Sequence, residues 1–193
     1  MATEGLRCER KFRAENLPVE AVIQAVRLLP WGFRPVFPER RIHNIYFDTP
    51  GLDAFHDNAA GAPHRRKYRI RWYGDSESPP DDALFEMKER VNDRGFKQMV
   101  PSPPPGLLPV LSNTFRRLYF GLPGGQVRLT VDHDLVFKGV LIPTAPFPDP
   151  AVILELKYPA EIEGEMEPIL QNLPFSVSKN SKYARGVELI FCH

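Results

Sequence analysis

Three short segments of this chain carry an acid and a base two residues apart: Glu9-x-Lys11, Glu86-x-Lys88 and Glu155-x-Lys157. A fourth, Arg65-Arg66-Lys67-Tyr68-Arg69-Ile70-Arg71-Trp72-Tyr73, sets Arg65, Lys67, Arg69 and Arg71 at alternate positions. Side chains at i and i+2 share a face in a β-strand, and in a helix they do not. The spacing therefore demands strands with one ionic side and one apolar side. Glu9, Lys11 and Arg13 oppose Cys8, Phe12 and Ala14; Arg69 and Arg71 oppose Tyr68, Ile70 and Trp72. Glu86 and Lys88 oppose Phe85 and Met87, and Glu155 and Lys157 oppose Leu154, Leu156 and Tyr158.

One strand of this kind fits a half-exposed sheet with ion pairs facing water. Several with the same grammar point to charged faces that converge on an interior, because a solvated face accepts Ser, Thr, Gln and Asn as freely. Across these faces, with Lys97, Arg128, Lys179 and Lys182 added, cations outnumber acids. Buried unpaired charge is expensive, so water, counterions or an anionic ligand must neutralise such an interior. Phosphates suit it: Arg offers bidentate hydrogen bonds and Lys a mobile point charge. Glu9, Glu155 or Asp132 would then hold Mg²⁺ or Mn²⁺, hard cations that favour carboxylate and phosphate oxygens.

Alternation and β-branched or aromatic content predict strands over 6–14, 41–48, 64–73, 83–91, 95–100, 126–133, 135–140 and 151–158. Helices are expected at a segment capped by Asn16, with Pro18 in its first turn and Val19, Val22, Ile23 and Val26 on one face. Others are expected over 107–119, 159–173 and about 181–190. The Pro-rich stretches 75–82, 101–109 and 143–150 read as connections between strands. Strands joined mostly without crossover helices imply an α+β, mainly β fold: a closed antiparallel β-barrel of about eight strands with flanking helices. At 193 residues the expectation is a single domain spanning 1–193.

Net charge narrows the function. A formal charge of +1 excludes the global basicity of a typical nucleic-acid binder, so any basic site is a local arrangement. Cys8 and Cys192 lie at opposite ends without metal-ligand spacing, which fits a reducing cytoplasm, with a disulfide clasping the termini as the alternative. No apolar run approaches the roughly 20 residues of a membrane span.

The motifs also resemble a family. Cys8-Glu9-Arg10-Lys11-Phe12 resembles the opening E-x-K strand of the triphosphate tunnel metalloenzymes, and Ile45-Tyr46-Phe47-Asp48-Thr49-Pro50 their Y-F-D-T strand end. Lys67-Tyr68-Arg69-Ile70-Arg71 is similar to their R-x-R strand, and Phe85-Glu86-Met87-Lys88 to the E-x-K strand after it. The tail Ser178-Lys179-Asn180-Ser181-Lys182-Tyr183 resembles the S-K-Y segment of the VTC (vacuolar transporter chaperone) catalytic domain. Arg128-Leu129-Thr130-Val131-Asp132 and Ile153-Leu154-Glu155-Leu156-Lys157-Tyr158 agree with that branch. The likeness runs from Arg7 to about Leu189. One departure is Arg7, where the wider superfamily often has the first acid of E-x-E-x-K; this removes a metal ligand and favours the more basic VTC branch.

The resemblance implies a β-barrel tunnel in which phosphates thread between basic strands, and synthesis there of polyphosphate from the terminal phosphate of ATP. By it, Lys11, Arg69, Arg71, Lys88, Lys157 and Lys182 are expected to serve catalysis, and Lys67, Lys97, Arg128, Lys179 and Ser181 to bind substrate. Glu155 and Glu9 are expected to hold Mn²⁺ or Mg²⁺, with Glu9 alternatively positioning neighbouring lysines as Glu86 does. A hydrolase of tripolyphosphate or nucleoside triphosphates, and a non-catalytic polyphosphate-binding module, remain open alternatives. Nucleic acid is not an expected partner and no membrane span is expected in this chain, nor are the membrane and phosphate-sensing segments of some larger members. Ser181 either contacts phosphate or caps the last helix. His43 reads as a strand residue, and Trp31, Phe33 and Trp72 as core aromatics rather than an adenine platform.

Overall fold

The computed structural model describes residues 7–91, 94–179 and 181–192. Leu6, the expected start of the first strand, and Asn180 in the basic tail lie outside the described residues. The elements in chain order are β1 (Arg7–Ala14), α1 (Val19–Leu28), β2 (Arg34–Asp48), α2 (Asp53–Ala59), β3 (His64–Tyr73), β4 (Phe85–Val91) and β5 (Arg94–Val100). They continue with β6 (Leu108–Gly121), β7 (Arg128–Gly139), β8 (Phe147–Asp149), β9 (Val152–Pro159), a 3₁₀ turn (Ala160–Ile162), α3 (Glu163–Asn172) and α4 (Lys182–Phe191). Among the described residues no helix is long and apolar enough to cross a membrane.

Several elements depart from the expectations. Residues 107–119, expected as a helix, lie almost wholly in strand β6. Val110, Thr114, Phe115 and Tyr119 favour a pleated surface, and Ser112 and Asn113 are poor helix residues. The two strands expected over 126–133 and 135–140 are one strand, β7, that passes through Asp134 at φ 52°. Strand β2 begins at Arg34 instead of 41, its added portion steadied by Phe37, which packs edge-on against Tyr119 and lies beneath Arg40. Helix α2 had no sequence signal strong enough to register. Its first N–H groups are capped from outside, by the Asp48 carboxylate at the end of β2.

Among the described residues the sheet is not closed. Hydrogen-bonded strands follow the order β1-β9-β7-β6-β2-β3-β4-β5, with β8 on β7, so the path ends at β1 and at β5. This corrects the closed barrel tunnel expected above. The edge of β1 away from β9 is occupied by a different piece of chain: Ser178 N donates to the Lys11 carbonyl at 2.8 Å, and Phe12 bridges to Val177. Cys8 and Cys192 are free thiols, so the alternative of a disulfide clasp is also set aside.

The chain divides into two compact units. The first comprises Met1–Arg40, Arg116–Asp134 and Pro150–Asn180. Here β1 pairs antiparallel with β9, which pairs with β7. The apolar face of these strands, with Phe12, Leu129, Val131, Leu154, Leu156 and Tyr158, packs on Val22 and Val26 of α1 and Met166 and Ile169 of α3. Each fully buried aliphatic side chain contributes roughly 1.5–3 kcal/mol. With one face of the strands so covered, the other carries the ionic side chains.

The second unit comprises Arg41–Phe115, Leu135–Asp149 and Ser181–His193. Its strands pair antiparallel as β2 with β3, β3 with β4, and β4 with β5. Helix α4 starts at an N-cap, Ser181, whose hydroxyl accepts from Ala184 N. It lies so close to Leu111 and Phe137 that only glycine fits at position 186, where a methyl group would overlap both side chains.

Candidate functional site

In the first unit the antiparallel register sets acids opposite bases. Glu9 faces Lys157 across β1 and β9, and Lys11 faces Glu155; Arg128 of β7 lies beyond Lys157 and Thr130 beyond Glu155. Lys157 Nζ reaches Glu155 Oε1 at 2.6 Å and Glu9 Oε2 at 3.3 Å, and Lys11 Nζ reaches Glu9 Oε1 at 2.9 Å. Burial alone would raise the Glu155 carboxyl, but Lys157, Lys11 and Arg117 override it and hold the group far below the usual carboxylate range. Glu155 is therefore ionised at any physiological pH. Asp132 is engaged on both oxygens by Arg117, at 2.5 and 2.7 Å. Lys179 is exposed and follows Ser178, whose N–H is bound to β1.

A metal here would meet hard oxygen donors. The donors are oxygens, the Glu9 and Glu155 carboxylates, and the Thr130 hydroxyl beside Glu155 is buried without a hydrogen-bond partner. One cation, the Lys157 ammonium, already spans both carboxylates. Among the described residues no group of three or more His, Cys, Asp or Glu could hold a metal ion. A metal at Glu9 and Glu155 would thus complete its shell with water and phosphate oxygens, the usual manner of Mg²⁺.

In the second unit the register does the opposite and aligns like charges. Lys67 of β3 is opposite Lys88 of β4, and Lys88 is opposite Lys97 of β5. Adjacent strands lie about 4.8 Å apart, so three ammonium-bearing side chains stand in a row across the sheet. Directly opposed like charges destabilise a sheet. Beside this row Arg69 faces Glu86, and the Glu86 carboxylate accepts from Arg69 Nε at 2.6 Å and Lys97 Nζ at 2.6 Å. Burial would raise the Glu86 carboxyl, yet Arg69, Lys97 and Arg71 together bring it down to about 2. The Glu86 carboxylate thus contacts one lysine and one arginine, where the sequence reading expected neighbouring lysines.

Helix α4 delivers the rest of the basic tail. Asp48, 1% exposed, accepts from the N–H groups of Thr49, Ala54 and Phe55 and from the Tyr183 hydroxyl, which joins α4 to β2 and α2. Lys67 Nζ donates to Ser181 Oγ at 2.9 Å and to Asn58 Oδ1 at 2.7 Å, and lies over the Tyr183 ring. Lys182 sits 4.7 Å from the centroid of the Phe115 ring. Ser181 caps α4, one of its two expected roles, and touches Lys67 as well.

The residues that sequence reasoning missed are neutral. Arg71 Nε donates to Asn44 Oδ1 at 2.8 Å, and Asn44 Nδ2 donates to Asn113 Oδ1 at 2.7 Å. A guanidinium only donates, so Arg71 fixes the Asn44 oxygen towards itself, and Asn44 must then offer its nitrogen to the Asn113 oxygen. Asn113 Nδ2 is what remains, buried and without an acceptor. Such a group costs about 1–3 kcal/mol. The one available signal was parity: Asn44 shares its strand face with Tyr46 and Asp48.

Other candidates are placed as structural. His43 is buried, stacked on Trp72 and bonded to Gly74 O, and Phe33 and Trp72 are core residues. Trp31 lines a cavity of about 460 Å³ with Leu122, Val127, Ile162, Glu165 and Met166, none of them an expected site residue.

Comparison with known proteins gives a family. The family model of the VTC domain matches residues 36–106 and 104–191. No curated protein matches the chain. Among solved structures, that of a candidate adenylate cyclase from Vibrio parahaemolyticus superposes with a TM-score of 0.57 at 14% identity. The match covers 93% of this chain and 96% of that one. At that identity the likeness is one of fold.

Proposed function

The chain belongs to the VTC domain family, and on that premise we propose that it transfers the terminal phosphate of ATP to inorganic polyphosphate in a metal-dependent reaction. The observation that carries the reading is the row Lys67, Lys88 and Lys97. Cross-strand lysines in line are disfavoured by themselves and favoured by a polyanion laid across them. With Arg69, Arg71 and Lys182 they supply charge and hydrogen bonds to phosphate oxygens. In the first unit Lys11, Lys157, Arg128 and Lys179 would bind phosphate oxygens in the same way. Glu155 and Glu9 would hold Mn²⁺ or Mg²⁺, which when bound supplies charge neutralisation for the transferring phosphoryl group.

Phosphoryl transfer asks little covalent chemistry of a protein; positioning and fixed charge are most of it. Glu86, ionised through its pairing, aims Arg69 and Lys97, and Ser181 seats Lys67. Purified protein incubated with ATP and Mn²⁺, with products resolved by length, tests the reading. Chains longer than three phosphates support it. Orthophosphate alone makes the protein a triphosphate hydrolase, and unchanged ATP with tight polyphosphate binding makes it a binding module.

A further inference from the structure

We propose that the cavity bordered by Trp31 in the first unit is a binding site for a quaternary alkylammonium group, a function separate from the phosphate chemistry above. The cavity measures about 460 Å³, within the range of small-molecule sites. Three pieces of chain form it: Trp31 beyond the end of α1, the turn over 122–127 between β6 and β7, and Ile162, Glu165 and Met166 around the start of α3. All lie within the same compact unit.

The wall sets the charge and shape of the ligand. Glu165 is its one charged side chain, is exposed, and among the described residues has no ion pair or side-chain hydrogen bond. Helix α3 carries three acids and no base, so the local field favours a cation. Trp31 packs against the apolar core and also borders the cavity, and an indole is the best aromatic partner for a cation. Val127, Ile162 and Met166 make much of the remaining wall apolar, and Gln126 adds one amide.

That balance separates two kinds of cation. A primary ammonium or a guanidinium brings three or more N–H donors, and an apolar wall leaves part of them unsatisfied. A quaternary ammonium has no N–H. Its methyl groups suit the apolar wall, while the indole and the carboxylate answer its charge. A gap that only holds water calls for neither an indole at its border nor an uncompensated carboxylate. The same group occurs free, as in choline, and on phosphatidylcholine headgroups, and the test separates the two.

The full chain has two tryptophans, Trp31 and Trp72, and Trp72 is 6% exposed in the second unit, so a ligand-dependent change in emission reports Trp31. Titration with choline chloride, at ionic strength held constant with sodium chloride, should give a saturable change. The uncharged carbon isostere of choline should give none. Glu165→Gln keeps the shape at an exposed position, should unfold at the unaltered temperature, and should bind choline about tenfold more weakly. Trp31→Phe, followed by calorimetry because it removes the reporter, should weaken binding as well. Sedimentation with phosphatidylcholine vesicles assigns the source: co-sedimentation that choline reverses means a headgroup, and its absence means a free ligand. No saturable response to choline, an equal response to the isostere, or wild-type affinity in Glu165→Gln overturns the site. Turnover of ATP is a separate measurement and bears on the phosphate-transfer reading alone.

Discussion

The Tyr183 hydroxyl donates to Asp48 Oδ2 at 2.5 Å, tying the first turn of α4 to the end of β2. Burial raises the Tyr183 hydroxyl well above its usual range, and the Asp48 hydrogen bond and charge raise it further, so it stays a donor at any physiological pH. Asp48 already accepts three backbone N–H groups, so it is fixed before the tyrosine arrives. Tyr183→Phe should therefore destabilise the protein by about 1.5–3 kcal/mol, the range for a hydrogen bond to a charged group. Denaturant unfolding checks this. Tripolyphosphate affinity should fall too, because Ser181 and Lys182 begin the same helix.

The second prediction concerns acid. Glu86 drops from the ordinary 4.5 to about 2 in the folded protein. Its folded value is depressed, so its contribution is complete above pH 4.5 and is lost as pH falls from there towards 2. The shift corresponds to about 3 kcal/mol at neutral pH. Stability measured by denaturant titration should decline through that window, and in Glu86→Gln the decline should be shallower by about this amount. An unchanged acid profile in the variant would place the dominant titration elsewhere.

What the sequence could reveal follows from how far each signal reaches. Alternation of ionic and apolar residues is local, and a strand is the structure with that period, so β1, β3, β4 and β9 and their ionic faces could be read directly. Residues 107–119 misled because Leu107, Leu111, Phe115 and Tyr119 recur every four positions. A spacing of four suits a helix face and is also even, so a strand satisfies it equally. Closure of the sheet could not be read at all. It depends on what meets the outer edge of β1, and Ser178 does so from far along the chain. Asn44 and Asn113 escaped notice because a neutral amide stands out only once its neighbours are known.

Gly186 offers a third test. A methyl group there would overlap the Leu111 and Phe137 side chains, so Gly186→Ala must lift α4 or displace both. Overpacking of this kind typically costs about 1–3 kcal/mol, and the better helix propensity of alanine, worth about 1 kcal/mol, does not offset its upper range. The melting temperature should fall. A rise would mean that α4 is free to move away from β6 and β7.

Glu155→Gln tests the proposed metal site. The substitution keeps the shape and removes the charge that Lys157 and Lys11 hold in place. Mn²⁺-dependent turnover of ATP should disappear while the thermal unfolding transition remains cooperative. Full activity in the variant would remove Glu155 as a metal ligand. Glu9→Gln should have the smaller effect, since Glu9 is the more exposed of the two, at 27% against 13%.

The lysine row makes the sharpest prediction, because function and stability should move in opposite directions. Lys88 stands between Lys67 and Lys97, directly opposite both. Replacing it with an uncharged residue of similar length, Lys88→Met, removes a like charge from the middle of the row and leaves the strand intact. Without ligand, the variant should unfold at the same temperature as the unaltered protein or a higher one. With tripolyphosphate it should gain less: affinity should fall by about tenfold or more, the scale of one charge-assisted contact. The dependence of binding on salt should become shallower as well, since fewer ions are exchanged. Loss of stability together with unchanged affinity would make Lys88 a structural partner, and the row would no longer support a polyanion site.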